Sequence, residues 1–276
     1  MNKYRLIALD IDGTLLNSRK EIAPETAVAI RQAAEAGIAV VFCTGRAVSE
    51  LEEFYPLLPE IRYAVFASGG GLYDIQKKET FSLHGIPRDQ AEQVMTAAKP
   101  KDLMPQLVLA DRDVIQASHM VNLEHYHMGI YRPLYEKAMT LTDDIFDFFA
   151  SCRDEILKIN LYHAEVAERV RTREQLARLQ MEKVYSEISS IECSALGVNK
   201  GTGLLRLCGA LGIPANACAA VGDAENDIPM LREAGLGIAM GNGNDAVKNA
   251  ADRTVSDMDH GGCAEAIRMV LSSGES

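Results

Sequence analysis

The 276-residue sequence contains no tryptophan, no apolar run long enough to cross a membrane and no strongly basic stretch. A membrane-spanning helix needs about 20 consecutive apolar residues, and nucleic-acid binding depends on Lys and Arg side chains that neutralise phosphates. The formal net charge is −11 and the isoelectric point is near 5.1. We therefore expect neither a membrane nor a nucleic acid among the partners of this protein.

Signals for export and for disulfide bonding are also missing. The sequence starts with strand-like residues instead of a signal-peptide pattern, so we expect a cytoplasmic protein. Its six cysteines are scattered and contain no CxxC pair, which favours buried free thiols over a disulfide framework or a zinc site. Hydrophobic residues make up 47% of the chain, enough for one large domain or two modest ones.

The first part of the chain alternates strand-like and helical patterns. Apolar runs at residues 6–9, 38–43 and 63–67 predict buried strands, and residues 24–37 and 48–58 between them predict helices. This order implies a parallel sheet covered by helices. The glycine-rich stretch that follows predicts a β-hairpin at the edge of the sheet.

The pattern changes in the middle of the chain, where short strands mix with helices over residues 85–194. We predict that this segment is a separate α+β domain inserted into the core. The core itself would be discontinuous and consist of residues 1–84 and 195–276. The predicted fold class is therefore α/β, with a Rossmann-like parallel-sheet core and an inserted α+β cap domain.

Polar residues follow three of the predicted core strands. Asp10 and Asp12 follow the first strand, Thr44 follows the second, and Asp223 follows the apolar run CAAV. Because the carboxyl ends of parallel strands meet at one edge of a sheet, we expect these side chains to converge there, together with Lys200 at the start of a helix. Three carboxylates without histidine or thiolate suit a hard cation such as Mg2+.

The same edge offers hydrogen-bond donors for a phosphate group. The Thr44 hydroxyl and the amides around Gly13 and Gly45 can donate to phosphate oxygens, and Lys200 adds a positive charge. These residue types therefore favour a site that binds a cation and a phosphate together.

The pair Asp10 and Asp12 raises an electrostatic question. Residues i and i+2 of an extended segment point to the same side, and two carboxylates about 5 Å apart repel by about 3 kcal/mol at an effective dielectric constant near 20. Solvation, a shared proton or a bound cation would offset that cost. With a cation present, Asp10 can attack phosphorus as a nucleophile while Asp12 protonates the leaving oxygen and later deprotonates water.

Four motifs occur in order along the chain: DIDGTLL at 10–16, CTGR at 43–46, NKG at 199–201 and GDAEND at 222–227. Together they resemble the motifs of the haloacid dehalogenase-like phosphohydrolase superfamily. The long insertion resembles the type IIB cap of the Cof-type branch. This resemblance spans the whole chain and implies a Mg2+-dependent phosphatase that acts on a small phosphorylated metabolite, such as a sugar phosphate.

The resemblance also implies a role for individual residues. Asp10 would be the nucleophile and Asp12 the general acid and base, and Mg2+ would be held by the Asp10 carboxylate, the Asp12 backbone carbonyl and Asp223. The remaining implied roles are phosphoryl binding by Thr44 and Lys200, a phosphate contact for Asn226, support of Lys200 or of the metal's waters by Asp227, and a substrate or cap contact for Arg46. The branch usually has Asn-Gly-Ala after its third strand, where this chain has Ser68, Gly69 and Gly70.

Other interpretations stay open at the level of sequence. A sugar phosphomutase shares this core and cap but returns the phosphoryl group to a sugar. A phospho-Asp signalling module also brings carboxylates, a threonine and a lysine together. A non-catalytic binding protein would have the same fold without the activity. Individually, Asp-Gly is a common turn pair, Thr44 suits a helix N-cap and Lys200 suits a solvated helix surface. We expect substrate specificity to lie in residues 85–194, and the oligomeric state is not predicted.

Overall fold

The computed structural model describes residues 2–273, which form two compact units. The first unit runs up to Gly45, continues with Glu53–Ser82 and resumes at Asn199; the second consists of Arg46–Glu52 and Leu83–Val198. The segment Arg46–Glu52 therefore lies in the second unit, although the domain boundaries expected from the sequence place it in the core. Among residues 2–273, no helix is long and apolar enough to cross a membrane.

Strands and helices alternate through the first unit and mix irregularly in the second. The strands are β1 (Leu6–Leu9), β2 (Ala39–Cys43), β3 (Tyr63–Phe66), β4 (Gly71–Asp74), β5 (Glu79–Leu83), β6 (Leu103–Val108), β7 (Asp113–Gln116), β8 (Met139–Thr142), β9 (Lys158–His163), β10 (Met181–Val184), β11 (Ser190–Ala195), β12 (Cys218–Gly222), β13 (Leu236–Ala239) and β14 (Arg253–Thr254). The α-helices are α1 (Pro24–Glu35), α2 (Arg88–Ala98), α3 (Ala117–Val121), α4 (Arg132–Ala138), α5 (Ile145–Ser151), α6 (Glu168–Gln175), α7 (Lys200–Leu211), α8 (Ile228–Glu233), α9 (Asp245–Ala250) and α10 (Gly262–Ser272).

The first unit is built on an eight-stranded sheet in the order β14-β13-β12-β1-β2-β3-β4-β5. Its strands from β14 to β3 are parallel, β4 is antiparallel to β3, and β5 follows at the edge. These pairings confirm the predicted parallel core and the hairpin at its edge. All four residues of β1 are buried, as expected for a central strand of a sheet that is covered on both faces.

Helices of the first unit pack in pairs, α7 against α8 and α1 against α10. The apolar residues between α7, α8 and the sheet form one core that includes Leu204, Leu207 and Met230. Because β1, β2 and β12 are adjacent and parallel, their carboxyl ends lie at one edge of the sheet. The residues that follow these three strands are the ones that the motifs single out.

The prediction of a helix over residues 48–58 is wrong. The structure has two short 3-10 turns there, Val48–Glu50 and Glu52–Phe54. Pro56 lacks a backbone N–H and disfavours helical backbone angles in the residue before it, so the apolar spacing of this segment does not produce an α-helix.

The second unit contains a six-stranded sheet in the order β10-β11-β9-β6-β7-β8. Its strands are antiparallel except for the parallel pair β7 and β8. One apolar core includes Val94 of α2 and Phe149 of α5, and another includes Met104 and Tyr135. The α+β character predicted for this region agrees with these elements, although α3, α4 and β8 were not predicted.

Candidate active site

Asp10 is the first residue after β1, at the carboxyl edge of the parallel sheet. Its backbone N–H donates to the Val221 carbonyl oxygen of β12 at 3.0 Å, which extends the β1–β12 pairing by one residue. The Asp10 side chain is buried, with the residue only 4% exposed. Burial, followed by repulsion from Asp227, raises the pKa of Asp10 well above its ordinary value, whereas Lys200 acts in the opposite direction.

Lys200 connects Asp10 to Asp227. It opens α7 directly after the N-cap Asn199, whose side-chain oxygen accepts a hydrogen bond from the Thr202 amide at 3.0 Å. The Lys200 Nζ lies 2.6 Å from Asp10 Oδ1 and 2.6 Å from Asp227 Oδ1. Burial alone lowers the pKa of Lys200, but the two carboxylates outweigh burial and raise it well above the ordinary value. Lys200 is therefore a buried ammonium, and the interpretation as a solvated helix residue is wrong.

Asp227 is fully buried and its two carboxylate oxygens have separate partners. Oδ1 contacts Lys200, and Oδ2 accepts hydrogen bonds from the backbone amides of Asp223 and Ala224 at 2.9 Å each. One side chain thus fixes both the lysine and the loop after β12. This geometry supports the predicted supporting role toward Lys200.

Asp223 follows β12 and is held by groups from two other segments. The Thr14 hydroxyl donates to Asp223 Oδ1 at 2.9 Å, and the Asn242 side-chain amide donates to Asp223 Oδ2 at 3.0 Å and to the Gly13 carbonyl at 2.9 Å. Burial, followed by repulsion from Asp227, raises the pKa of Asp223 to about 7, and the Thr14 hydrogen bond opposes this rise. Gly13 has φ +83°, and a Cβ there would lie 2.3 Å from Asp223 Oδ2, so only glycine permits this approach.

Asp12 lies in the turn after β1, and its side chain is not part of the Asp10, Asp223 and Asp227 group. The Lys20 Nζ lies 2.9 Å from Asp12 Oδ1, and the two side chains are 28% and 23% exposed. Lys20 has φ 61°, a left-handed conformation that is uncommon outside glycine. The loop from Asp12 therefore folds back and places an ammonium on the candidate general acid.

Thr44 follows β2 and is 1% exposed. Its backbone N–H donates to Val65 at 2.9 Å, and its carbonyl accepts from the Ser68 amide at 3.0 Å. Ser68 has φ 53°, a conformation that asparagine adopts more readily than serine. The Ser68 backbone is thus tied to Thr44 at the position where the branch usually has asparagine.

Two further predicted residues stand apart from these contacts. Asn226 is 8% exposed, and its side-chain oxygen has no hydrogen-bond partner within residues 2–273. Arg46 lies in the second unit, where its Nη1 donates to the Glu50 carbonyl at 3.4 Å. The substrate contacts expected of Asn226, Gly45 and Arg46 stay predictions.

The acidic cluster fits a divalent metal ion. Oxygens of Asp10, Asp223 and Asp227 all lie within 4.8 Å of one another, and the three carboxylates with one ammonium carry a formal charge that a divalent cation offsets. An all-oxygen set is the donor type that Mg2+ prefers. Oxygens of all three carboxylates already accept hydrogen bonds within the protein, so the assignment of Asp10 and Asp223 as the direct ligands stays a prediction.

Three residues that contact the site were not predicted from the sequence: Thr14, Lys20 and Asn242. Thr14 is inside the first motif, next to residues that were given roles, so its position was a usable signal. Asn242 comes shortly after β13 ends, which is also the edge where ligands of parallel sheets bind. Lys20 carries no comparable signal, because its contact depends on how the loop folds back.

Comparison with known proteins agrees with this geometry. Residues 7–267 match the family model of haloacid dehalogenase-like hydrolases. A 5-amino-6-(5-phospho-D-ribitylamino)uracil phosphatase of Bacillus subtilis is 31% identical over 265 residues, covering 96% of this chain and 94% of that protein. A pyridoxal phosphate phosphatase of Escherichia coli is 28% identical over 263 residues, covering 92% and 93%. The solved structure of a subclass IIB sugar phosphatase aligns with a TM-score of 0.82 at 21% identity and covers 96% of this chain and 98% of that one.

The structural likeness confirms the predicted fold class, an α/β core with a cap of the IIB type. The family match contains all four motifs and confirms the resemblance that they carry. The chain is therefore an enzyme and belongs to the haloacid dehalogenase-like hydrolases.

Proposed function

We propose that the protein is a Mg2+-dependent phosphomonoesterase that hydrolyses a small phosphorylated metabolite through an aspartyl phosphate on Asp10. The observation that carries this proposal is the buried Asp10 carboxylate, 2.6 Å from the Lys200 ammonium and beside two further carboxylates. The two relatives described above are phosphatases of small phosphorylated compounds, which supports the substrate class.

In the first half of the reaction, an Asp10 oxygen attacks phosphorus and the bond from phosphorus to the leaving oxygen breaks. Asp12 gives its proton to that oxygen, so an alcohol departs. Lys200, Thr44 and the amide of Gly13 bind the phosphoryl oxygens and favour the charge that develops on them. The burial that raises the pKa of Asp10 also removes water from the nucleophile.

In the second half, water attacks the phosphorus of the aspartyl phosphate and Asp12 accepts the proton of that water. The bond between phosphorus and the Asp10 oxygen breaks, which releases inorganic phosphate and restores the Asp10 carboxylate. Lys200 stays bound to Asp227 throughout, so it remains in place for both steps.

The carboxylates of Asp10 and Asp223 and the backbone carbonyl of Asp12 would hold Mg2+. When bound, the ion neutralises the clustered carboxylates and polarises a phosphoryl oxygen. Thr14 and Asn242 orient Asp223 through direct hydrogen bonds, and such partners of a metal ligand set its orientation and basicity.

Phosphate release from a panel of phosphorylated metabolites tests the proposal, with Mg2+ in one series and EDTA in the other. Asp10→Asn is the blank. Asp259→Asn is the matched control, because Asp259 is exposed and its carboxylate accepts hydrogen bonds from the side chain and the backbone amide of Ser18, the latter at 2.9 Å. We expect Mg2+-dependent release by the wild type and by Asp259→Asn. Asp10→Asn should retain less than about a tenth of the rate, a barrier increase of more than about 1.4 kcal/mol, and a higher residual rate would contradict the nucleophile assignment.

The phosphomutase alternative makes a different prediction in the same assay. A mutase would release little phosphate, and addition of a sugar bisphosphate would start transfer to the sugar. A signalling module or a binding protein would show no turnover in either series. Phosphate release without any bisphosphate therefore separates the hydrolase from all three alternatives.

A further inference from the structure

A groove of about 390 Å³ lies on the surface of the first unit. Its apolar lining comes from the loop after β1, from α1, from the second 3-10 turn and from the segment that follows this turn. The apolar residues that line it are Leu16, Ile22, Ala27, Phe54 and Leu57. A groove of this volume with mainly apolar walls is of the size that binds small molecules.

The groove adjoins the candidate general acid. Lys20 lines the groove while its Nζ contacts Asp12 Oδ1 at 2.9 Å. Leu16 also lines the groove, and its backbone forms a bridge with Asp12. In the proposed mechanism Asp12 protonates the leaving oxygen, so that oxygen would lie beside Asp12, next to the end of the groove that Lys20 and Leu16 line.

The inner wall is held in place by the core. Leu16 is 2% exposed, and Phe54 is 3% exposed with its ring centroid 5.9 Å from that of Phe42. Leu57, in contrast, is 60% exposed. A fixed aromatic wall next to an exposed leucine forms a preorganised apolar surface, which binds a ligand without ordering many side chains.

We propose that this groove binds a ring-sized apolar part of the substrate's leaving group. The inference rests on the proposed phosphomonoesterase function and adds a substrate class to it. Glu21 and Glu53 line the groove as well, and the charge of Lys20 is shared with Asp12, so the ring is uncharged or cationic. Part of the specificity then resides in the first unit and not wholly in residues 85–194.

Binding of two phosphonates that cannot be hydrolysed tests the groove without relying on turnover. Benzylphosphonate and ethylphosphonate share the charged head and differ in the ring. We expect wild-type protein to bind benzylphosphonate at least tenfold more tightly in calorimetry with Mg2+. Leu57→Asn should remove most of that preference and leave ethylphosphonate affinity within twofold, and Leu57→Ala should act in the same direction without adding a polar group.

Val28→Asn is the matched control, because Val28 is a 46% exposed apolar residue of α1 that does not line the groove. It should leave both affinities unchanged. Equal wild-type affinities for the two phosphonates, or failure to bind either of them while phosphate release is normal, would overturn the groove assignment. Unchanged ring preference in both Leu57 variants would do the same. Absence of phosphate release from every compound in the panel would instead overturn the proposed function.

Discussion

Replacement of Thr14 by valine should weaken metal binding while the fold is kept. Thr14 is 1% exposed, and valine has nearly the same shape, so the substitution removes a hydroxyl without opening a cavity. The lost interaction is the hydrogen bond from Thr14 Oγ1 to Asp223 Oδ1 at 2.9 Å. Asp223 would keep its bond from Asn242 but lose one of the two side-chain donors that orient it.

The size of the effect follows from the charge of the acceptor. A hydrogen bond to a charged group contributes about 1.5–3 kcal/mol to stability; because this bond is already present without the metal, only the part that orients Asp223 for the metal contributes to affinity. Loss of a hydrogen-bond partner of a metal ligand commonly costs about 10- to 100-fold. We therefore expect the Mg2+ dissociation constant of Thr14→Val to rise by at least about tenfold.

The pH dependence gives a second readout. The pKa of Asp223 is raised to about 7 in the metal-free site, and Mg2+ binds the ionised carboxylate, so metal and proton compete. Affinity should increase as pH rises toward about 7 and level off above it. Because the Thr14 hydrogen bond opposes the rise of this pKa, the variant should level off at a higher pH.

Isothermal titration calorimetry with Mg2+ between pH 6 and pH 8.5 measures both quantities. Thr14→Ser is the control, since it keeps the hydroxyl and should bind Mg2+ nearly as the wild type does. If Thr14→Val stayed within twofold of the wild type at every pH, the hydrogen bond would have no part in metal binding. A parallel loss in Thr14→Ser would point to packing instead of the hydroxyl.

Three further substitutions address the same cluster. Gly13→Ala should lower both the free energy of unfolding and the Mg2+ affinity, because its Cβ would meet Asp223. Gly37→Ala is the control, since Gly37 has a similar φ of +79° and a Cβ there would have nothing within 4 Å. Its free energy of unfolding in urea should fall only by the backbone cost of about 1–2 kcal/mol. In the metal-free protein, the raised pKa of Asp223 makes the free energy of unfolding fall as pH rises from about 4 to about 7. Asp223→Asn should therefore be more stable than the wild type at pH 8 by up to about 4 kcal/mol. Parallel curves of stability against pH for the two proteins would contradict this. Asp227→Asn removes a partner of Lys200, and breaking this buried ion pair should lower the free energy of unfolding in urea by about 3–5 kcal/mol. An unchanged urea midpoint would contradict this expectation.

Much of the site was predictable because its residues follow apolar runs. Asp10, Thr44 and Asp223 each come after a strand of a parallel sheet, and the geometry of such sheets brings strand ends to one edge. The position of Lys200 against Asp227 was expected only through the family resemblance. No local pattern encodes a contact between residues that far apart in the chain.

The errors also have physical causes. The segment 48–58 has helical apolar spacing, but Pro56 interferes with helical hydrogen bonding and the chain forms 3-10 turns. Thr14 reaches Asp223 across more than two-thirds of the sequence, and Asn242 also acts through the tertiary fold. Lys20 instead meets Asp12 because the loop between them folds back. Local sequence patterns indicate secondary-structure elements and the ends of strands, whereas the hydrogen bonds that orient Asp223 depend on the assembled sheet.

The strand order has a consequence for biosynthesis. The central strand β1 pairs with β12, Leu6 beside Cys218, so one edge of β1 stays without its neighbour until most of the chain has left the ribosome. At about 5–20 residues per second this interval lasts roughly 10–40 s. During that time β1 to β3 can pair with each other but expose apolar surface and an open strand edge, both of which favour aggregation. The nascent chain thus passes through a period in which chaperone binding would protect it, and Asp10 can meet Asp223 and Asp227 only after β12 has been synthesised.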